Sequence, residues 1–160
     1  PALEDEDRHA GRILATVLGD DSGSRMFWEL VDTGYAECAS MGAYEYQGTG
    51  IFMTYLCCAP EDTALNYEAI QRILADAQNS DITESELIQA KSKIRSQIVL
   101  QSERPANRLF ADGTNWVASR QYRTVREVIE SYERVTRADV ADVLKKYPLT
   151  TNTTVAVGPL

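Results

Sequence analysis

Two apolar runs of helical spacing meet at a corner built almost wholly from small and acidic residues. The stretch is Leu18-Gly19-Asp20-Asp21-Ser22-Gly23-Ser24-Arg25-Met26-Phe27-Trp28-Glu29-Leu30. Before it, Ile13, Leu14, Val17 and Leu18 lie on one helical face. After it, Phe27, Leu30 and Val31 recur at helical spacing, and Trp28 widens the stripe. Gly19 is placed to stop the first helix in a left-handed C-cap. Asp20, Asp21, Ser22 and Ser24 are all N-cap types for the second. A chain with this corner folds back on itself within the first thirty or so residues. The corner is either structural or a ligand cradle. It lacks the Lys-Ser/Thr ending of a P-loop, and two acids beside it repel an anion, so a structural corner is the reading favoured here.

The rest of the chain yields a definite element order. Ala36 to Tyr46 and Ile51 to Ala59 flank the turn signal Gln47-Gly48-Thr49-Gly50 and predict an antiparallel hairpin. The second segment is apolar almost throughout, which predicts a central strand covered on both faces. Pro60 suits a first helical turn. Beyond it Leu65, Ala69, Ile73 and Ala77 step by four, and Asn79-Ser80 ends the run. Three capping boxes follow, Thr83 with Glu86, Thr124 with Glu127, and the shorter-armed Thr136 with Asp139. Leu87, Ala90, Ile94 and Ile98 mark one helical face, and Pro105 breaks that helix. The apolar pattern resumes at Leu109, Phe110, Trp116 and Val117, then at Val125 to Tyr132, then at Val140 to Leu144. Thr150 to Val157 alternates as a final strand, closed by Gly158-Pro159. The order predicts an α+β fold, an antiparallel or mixed sheet covered by helices, with residues 1–160 as a single domain. Only three strands are visible, so the chain, which starts at Pro1, is read as an N-terminally truncated domain lacking its first strands.

Charge and composition exclude several classes. The net charge of -8 argues against a nucleic-acid surface. Charge is nonetheless uneven, since the segment from Lys91 to Arg126 is mostly basic. These are either solvated faces or a basic face that meets an acidic partner. No apolar run approaches the ~18 residues of a membrane span. Cys38, Cys57 and Cys58 are an odd set with an adjacent pair, which makes no disulfide framework and points toward a reducing compartment such as the cytoplasm.

No catalytic set emerges. His9 is the sole histidine. The helical zinc motifs HExxH and HxxEH each need two histidines a turn apart. A Cys3His site is disfavoured because adjacent strand residues Cys57 and Cys58 point to opposite faces. His9, near an exposed helix start, reads as a surface residue. Ser22 sits in no nucleophile elbow. On residues alone, the chain reads as an interaction or supporting domain.

The opening corner also resembles a family signature. Leu18 to Leu30 is similar to the "LGG…SRLF.EL" segment of insulinase-like (pitrilysin-type) zinc metallopeptidases, with Gly19, Ser24, Arg25 and Phe27 at motif positions. Thr33-Gly34-Tyr35-Ala36 resembles the "GLAY" that follows. Gly48 to Glu61 resembles "G.F.IY..T.PE", and Ile82 to Lys91 resembles "ITEEELERAK". The resemblance implies the C-terminal, non-catalytic type of domain in a clamshell peptidase. It further implies zinc in a partner N-terminal domain, in cis or in trans, and a peptide substrate held between the two. Tyr35, Glu37, Tyr44 and Tyr46 are then candidate chamber-lining residues, and the plainer reading of the same positions is ordinary sheet decoration. The family's substrate-holding Arg–Tyr pair is not matched: Val31 stands at the Arg position, and the Tyr position falls near Glu37 or Cys38. No catalytic residue and no metal ligand carries over. The alternative is a non-proteolytic scaffold or core-type subunit of the same family. Pairing of an exposed sheet edge leaves room for a homo-oligomer.

Overall fold

The computed structural model describes residues 1–158, with 118 and 119 described by backbone alone. Its first helix, α1 (Arg8–Gly19), is the centre of the molecule. Between Ala10 and Gly19 only Arg12 is exposed and only Thr16 half-buried. A helix covered on most of its circumference belongs inside a core rather than on it. α1 packs against β1 (Cys38–Tyr46) and against α3 (Glu84–Ser102), α5 (Val125–Glu133) and α6 (Arg137–Lys146). Ile13, Leu14 and Leu18 are fully removed from water, at about 1.5–3 kcal/mol of stabilisation each.

β1 pairs antiparallel with β2 (Thr49–Cys57), from Cys38 opposite Cys57 to Tyr46 opposite Thr49. The expected hairpin is present, and so is the α+β class. Gly48, at the turn, has φ +70°, a conformation glycine adopts without penalty. A 3-10 turn at Pro60–Asp62 leads into α2 (Thr63–Ser80). α4 (Pro105–Ser119) follows α3 after the break at Pro105. All three capping boxes form with both reciprocal hydrogen bonds. In the first, Glu86 N donates to Thr83 Oγ1 at 3.2 Å and Thr83 N donates to Glu86 Oε2 at 2.7 Å.

Several expectations are corrected. Gly19 is not left-handed; among the corner's residues that conformation belongs to Gly23, at φ +77°. Gly19 is required by packing instead. A Cβ built there would lie 2.1 Å from the backbone N of Met41 and 2.5 Å from its Cβ. The second helix is a two-residue helical start that widens into a π-helical turn, Phe27–Val31. β2 is not central: among the described residues the sheet has two strands, and one face of β2 is open. Its apolar run hid a regular alternation of burial, because its outward side chains are themselves apolar. Residues 150–157 form no strand and lie exposed, with Val157 at 98%. A strand needs a ladder partner, and none stands beside them among the described residues. Pro159, of the expected closing pair, lies outside those residues. Leu65 is exposed, and its neighbour Asn66 is buried, donating from Nδ2 to the Tyr35 carbonyl at 2.7 Å. His9 is no surface residue: it is half-buried, with its ring edge-on to Tyr132 at 4.9 Å.

The Gly19 contact yields a paired prediction. Gly19→Ala must push α1 away from β1 and is expected to cost at least about 1–3 kcal/mol. Gly113→Ala, in α4 with nothing within 4 Å of the added carbon, is expected to gain about 0.5–1 kcal/mol. Urea denaturation midpoints of the two variants check both signs.

Candidate functional site on the hairpin face

The register places two faces on the hairpin. Inward, Ala39 and Met41 are buried, with Ala43, Phe52 and Leu56 packed against the core. Outward, Tyr44 stands opposite Ile51, Gly42 opposite Met53, and Ser40 opposite Tyr55. Tyr44, Tyr46, Ile51, Met53 and Tyr55 are each 45–57% exposed. Five large side chains on one pleated face are an unusual load for a surface, because exposed apolar groups that form one continuous patch mark an interaction site. Gly42 shapes this patch. A Cβ at 42 would come within 2.8–3.2 Å of the Tyr44 ring, so the ring lies across the bare glycine.

Of the expected chamber residues, Tyr44 and Tyr46 stand on this face. Tyr35 and Glu37 precede β1 on the approach to its first residue. Tyr35 is exposed, and its carbonyl is held by Asn66. Glu37 N donates to the Cys57 carbonyl at 2.9 Å, extending the ladder by one bond. The Glu37 carboxylate accepts from Cys57 Sγ at 3.5 Å, and this hydrogen bond, with the nearby negative charge, raises the Cys57 thiol. Ile51, Met53 and Tyr55 were missed. The signal was available: counting outward from the turn puts Ile51 opposite Tyr44 and the rest follow by twos.

The Gly-rich corner is a tether rather than a cradle. Arg25 donates from Nε to Glu86 Oε1 at 2.7 Å and from a terminal nitrogen to Oε2 at 2.9 Å, and also reaches the Asp81 carbonyl at 3.1 Å. Lys93 Nζ meets the Asp20 carboxylate and the Ser22 carbonyl. One of the corner's two acids, Asp20, is thus engaged by a cation from α3. Ser24 is buried; its Oγ accepts from Phe27 N at 3.1 Å and donates to the Asp20 carbonyl. Of the four N-cap candidates in the sequence, Ser24 is the one whose side chain accepts from the first helical turn. Phe27 is half-buried and edge-on to Trp28. The turn then delivers the chain to the hairpin, with Ala36 N donating to the Leu30 carbonyl at 2.8 Å.

The metal question has a local answer. Among the described residues no group of three or more His, Cys, Asp or Glu side chains is placed to hold a metal ion. His9 packs on Tyr132 beside an open cleft of about 860 Å3 that also includes Arg123 and Glu127. Burial, then the charges of Arg8 and Arg123, push its imidazole down to about 4. Cys57 is bonded to Glu37 and Cys58 to Thr63.

A family model described as the inactive domain of M16 peptidases matches residues 1–94, from the N-terminus through most of α3. The chain belongs to the M16 peptidase inactive-domain family. An uncharacterized zinc protease of Rickettsia felis is 24% identical over 164 residues, a match that covers 99% of this chain and 39% of that protein. The M16 inactive domain of Pseudomonas fluorescens has the same fold, with a TM-score of 0.83 at 19% identity over 99% of this chain and 40% of that one. A chain of complex III2 from Candida albicans is similar in fold at a TM-score of 0.80 and 13% identity, over 91% of this chain and 37% of that one. This M16 inactive domain therefore spans well under half the length of the curated relative it matches.

The Arg25–Glu86 tether yields a pH prediction. Burial raises the Glu86 carboxyl, but the hydrogen bonds from Arg25 and Thr83 outweigh it and hold the group at about 2, against 4.5 ordinarily. A depressed carboxyl stabilises the fold above its unfolded value and loses that contribution as pH falls through its folded value. Glu86→Gln is expected to cost about 1.5–3 kcal/mol at neutral pH, and its deficit against the parent chain should shrink between pH 4.5 and 2. Urea midpoints across that range measure it. A constant deficit contradicts the assignment.

Proposed function

We propose that this M16 inactive domain packs against a zinc-bearing peptidase domain, in cis or in trans, and that its hairpin face walls a chamber holding peptide. The observation that carries the reading is the outward patch of Tyr44, Tyr46, Ile51, Met53 and Tyr55. Tyrosine and methionine suit variable peptide side chains: the phenol offers an apolar ring with a polar tip, and the thioether adapts its shape. Tyr35 and Glu37 stand at the same end of β1 as Cys57, where a peptide's polar groups would meet them. The domain's part is to orient substrate. Zinc, supplied by the partner domain, provides the water-activating chemistry of hydrolysis.

A second reading rests on Val31. This residue, at the position where the resemblance places a substrate-holding arginine, is half-buried and packed against the core. A side chain committed to packing cannot grip a peptide carboxylate. That favours a non-proteolytic scaffold, and the fold shared with a complex III2 chain is compatible with it.

One experiment separates the two. The full-length protein is assayed for zinc content and peptide cleavage, alone and with the product of the neighbouring gene. The peptidase reading expects an HxxEH motif in one of these chains, bound zinc, and cleavage. Tyr44→Ser with Met53→Ser should then raise KM by about tenfold, through the loss of roughly 1.4 kcal/mol of uniform binding, with kcat and zinc content little changed. Absence of HxxEH and of zinc from both chains overturns it in favour of the scaffold. An unchanged KM overturns the role of the hairpin face.

A further inference from the structure

Two of the three cysteines face each other across the hairpin. Cys38 and Cys57 are direct partners in the β1–β2 register, at the end of the ladder away from the turn. Successive side chains of a strand alternate between its faces. Cys38 therefore shares the outward face with Ser40, Gly42 and Tyr44, and Cys57 shares it with Tyr55, Met53 and Ile51. Residues opposite each other in an antiparallel ladder have Cα atoms about 4.5–5.5 Å apart. A disulfide spans Cα separations of about 4.4–6.8 Å, so the backbone already holds this pair within bonding range. Both are free thiols, and both are partly open to solvent. Cys58 stands apart from the pair. It packs against the core, and its sulfur meets Thr63 Oγ1 at 3.7 Å.

Glu37 makes the two thiols unequal. Its carboxylate accepts the Cys57 S–H at 3.5 Å. The Cys57 thiol is pushed up first by this hydrogen bond and by the Glu37 charge, and further by the Cys38 and Cys58 thiols nearby. The thiolate is the nucleophilic form, so a thiol kept protonated reacts slowly. Cys38 carries no such hydrogen bond among the described residues. Cys38 is therefore the first of the two to attack, and Cys57 is the one that closes the bond.

We propose that Cys38 and Cys57 form a reversible redox site, closing to a cross-strand disulfide by exchange with a small-molecule disulfide of the glutathione class. In the first exchange the Cys38 thiolate attacks one sulfur of the small disulfide. That S–S bond breaks, and one small thiol departs with the proton that Cys38 gave up. In the second exchange the Cys57 sulfur attacks the Cys38 sulfur of the mixed disulfide. The mixed bond breaks, and the second small thiol departs with the Cys57 proton. The two cysteines lose two electrons, and the small disulfide is reduced to two thiols. A solvent-accessible disulfide is the labile kind, so excess thiol reverses both steps. Closure ties β1 to β2 at the foot of the outward face and removes the S–H that Glu37 accepts, which leaves that carboxylate without its sulfur partner. The site holds whether or not the hairpin face binds peptide.

The test incubates the full-length protein with oxidised glutathione, quenches it by alkylation and maps the cysteines by mass spectrometry. Chymotrypsin is the protease of choice: Tyr44, Tyr46, Phe52 and Tyr55 separate Cys38 from Cys57, whereas no Lys or Arg lies between Arg25 and Arg72. The expected product joins the Cys38 fragment to the Cys57 fragment and is released by dithiothreitol. Cys58→Ser should keep the bond. Cys57→Ser should stop the reaction at a glutathione adduct on Cys38. Glu37→Gln should speed alkylation of Cys57 by about three- to tenfold near neutral pH, because its thiol then falls toward the ordinary range. A bond that needs Cys58, a bond made only between two protein molecules, a lasting glutathione adduct on the unsubstituted protein, or no reaction at Cys38 each overturns the proposal. An unchanged Cys57 alkylation rate in Glu37→Gln overturns the order of attack.

Discussion

Everything in this domain depends on how closely α1 approaches β1. The helix ends on Gly19 against the backbone of Met41, at a distance that admits no side chain. That contact lets a nearly wholly buried helix lie directly on the strand, with Met41 filling the space beside it. Packing at this density has no slack. α3, α5 and α6 close over the other sides of α1, and their positions follow from its position.

The corner after α1 performs a second task at the same place. It must turn the chain in a few residues, and its own backbone could wander if it were held only by glycine and serine. Arg25 and Lys93 prevent this by fastening it to α3 at two points, both ahead of the π-helical turn. The same carboxylate of Glu86 that caps α3 also receives Arg25. One acid thus serves a helix start and a long-range contact, which couples the corner's geometry to the seating of α3. The hairpin leaves from the end of this fixed segment, so its outward face is presented from a rigid base.

Features set by local chemistry were legible in the sequence. The three capping boxes, the break at Pro105, the hairpin turn at Gly48 and the N-cap at Ser24 depend on residues within a few positions of each other. The first three formed as read, and Ser24 is the one of four cap candidates that caps. Features set by distant partners were not. Gly19 was assigned a conformational role when its reason lies across the fold in Met41. Asn66 gave no sign of burial, because its partner is the carbonyl of Tyr35, far away in sequence. His9 looked exposed until Tyr132 came to rest beside it. Residues 150–157 have strand composition, but a strand is a property of a pair. The hairpin face was half legible: Tyr44 and Tyr46 stood out as aromatic residues, while Ile51, Met53 and Tyr55 were taken for core because outward and inward residues of β2 are equally apolar.

The uniform apolarity of β2 has a consequence for colloidal behaviour. From Thr49 to Ala59 there is no charged residue and no proline, and among the described residues β2 has a strand on one side only. Edge strands are ordinarily blunted by lysine, proline or a bulge; this one carries no such gatekeeper. A domain of this kind, handled apart from whatever shields it, is inclined to stack edge to edge, and its solubility becomes a measure of how well that edge is covered.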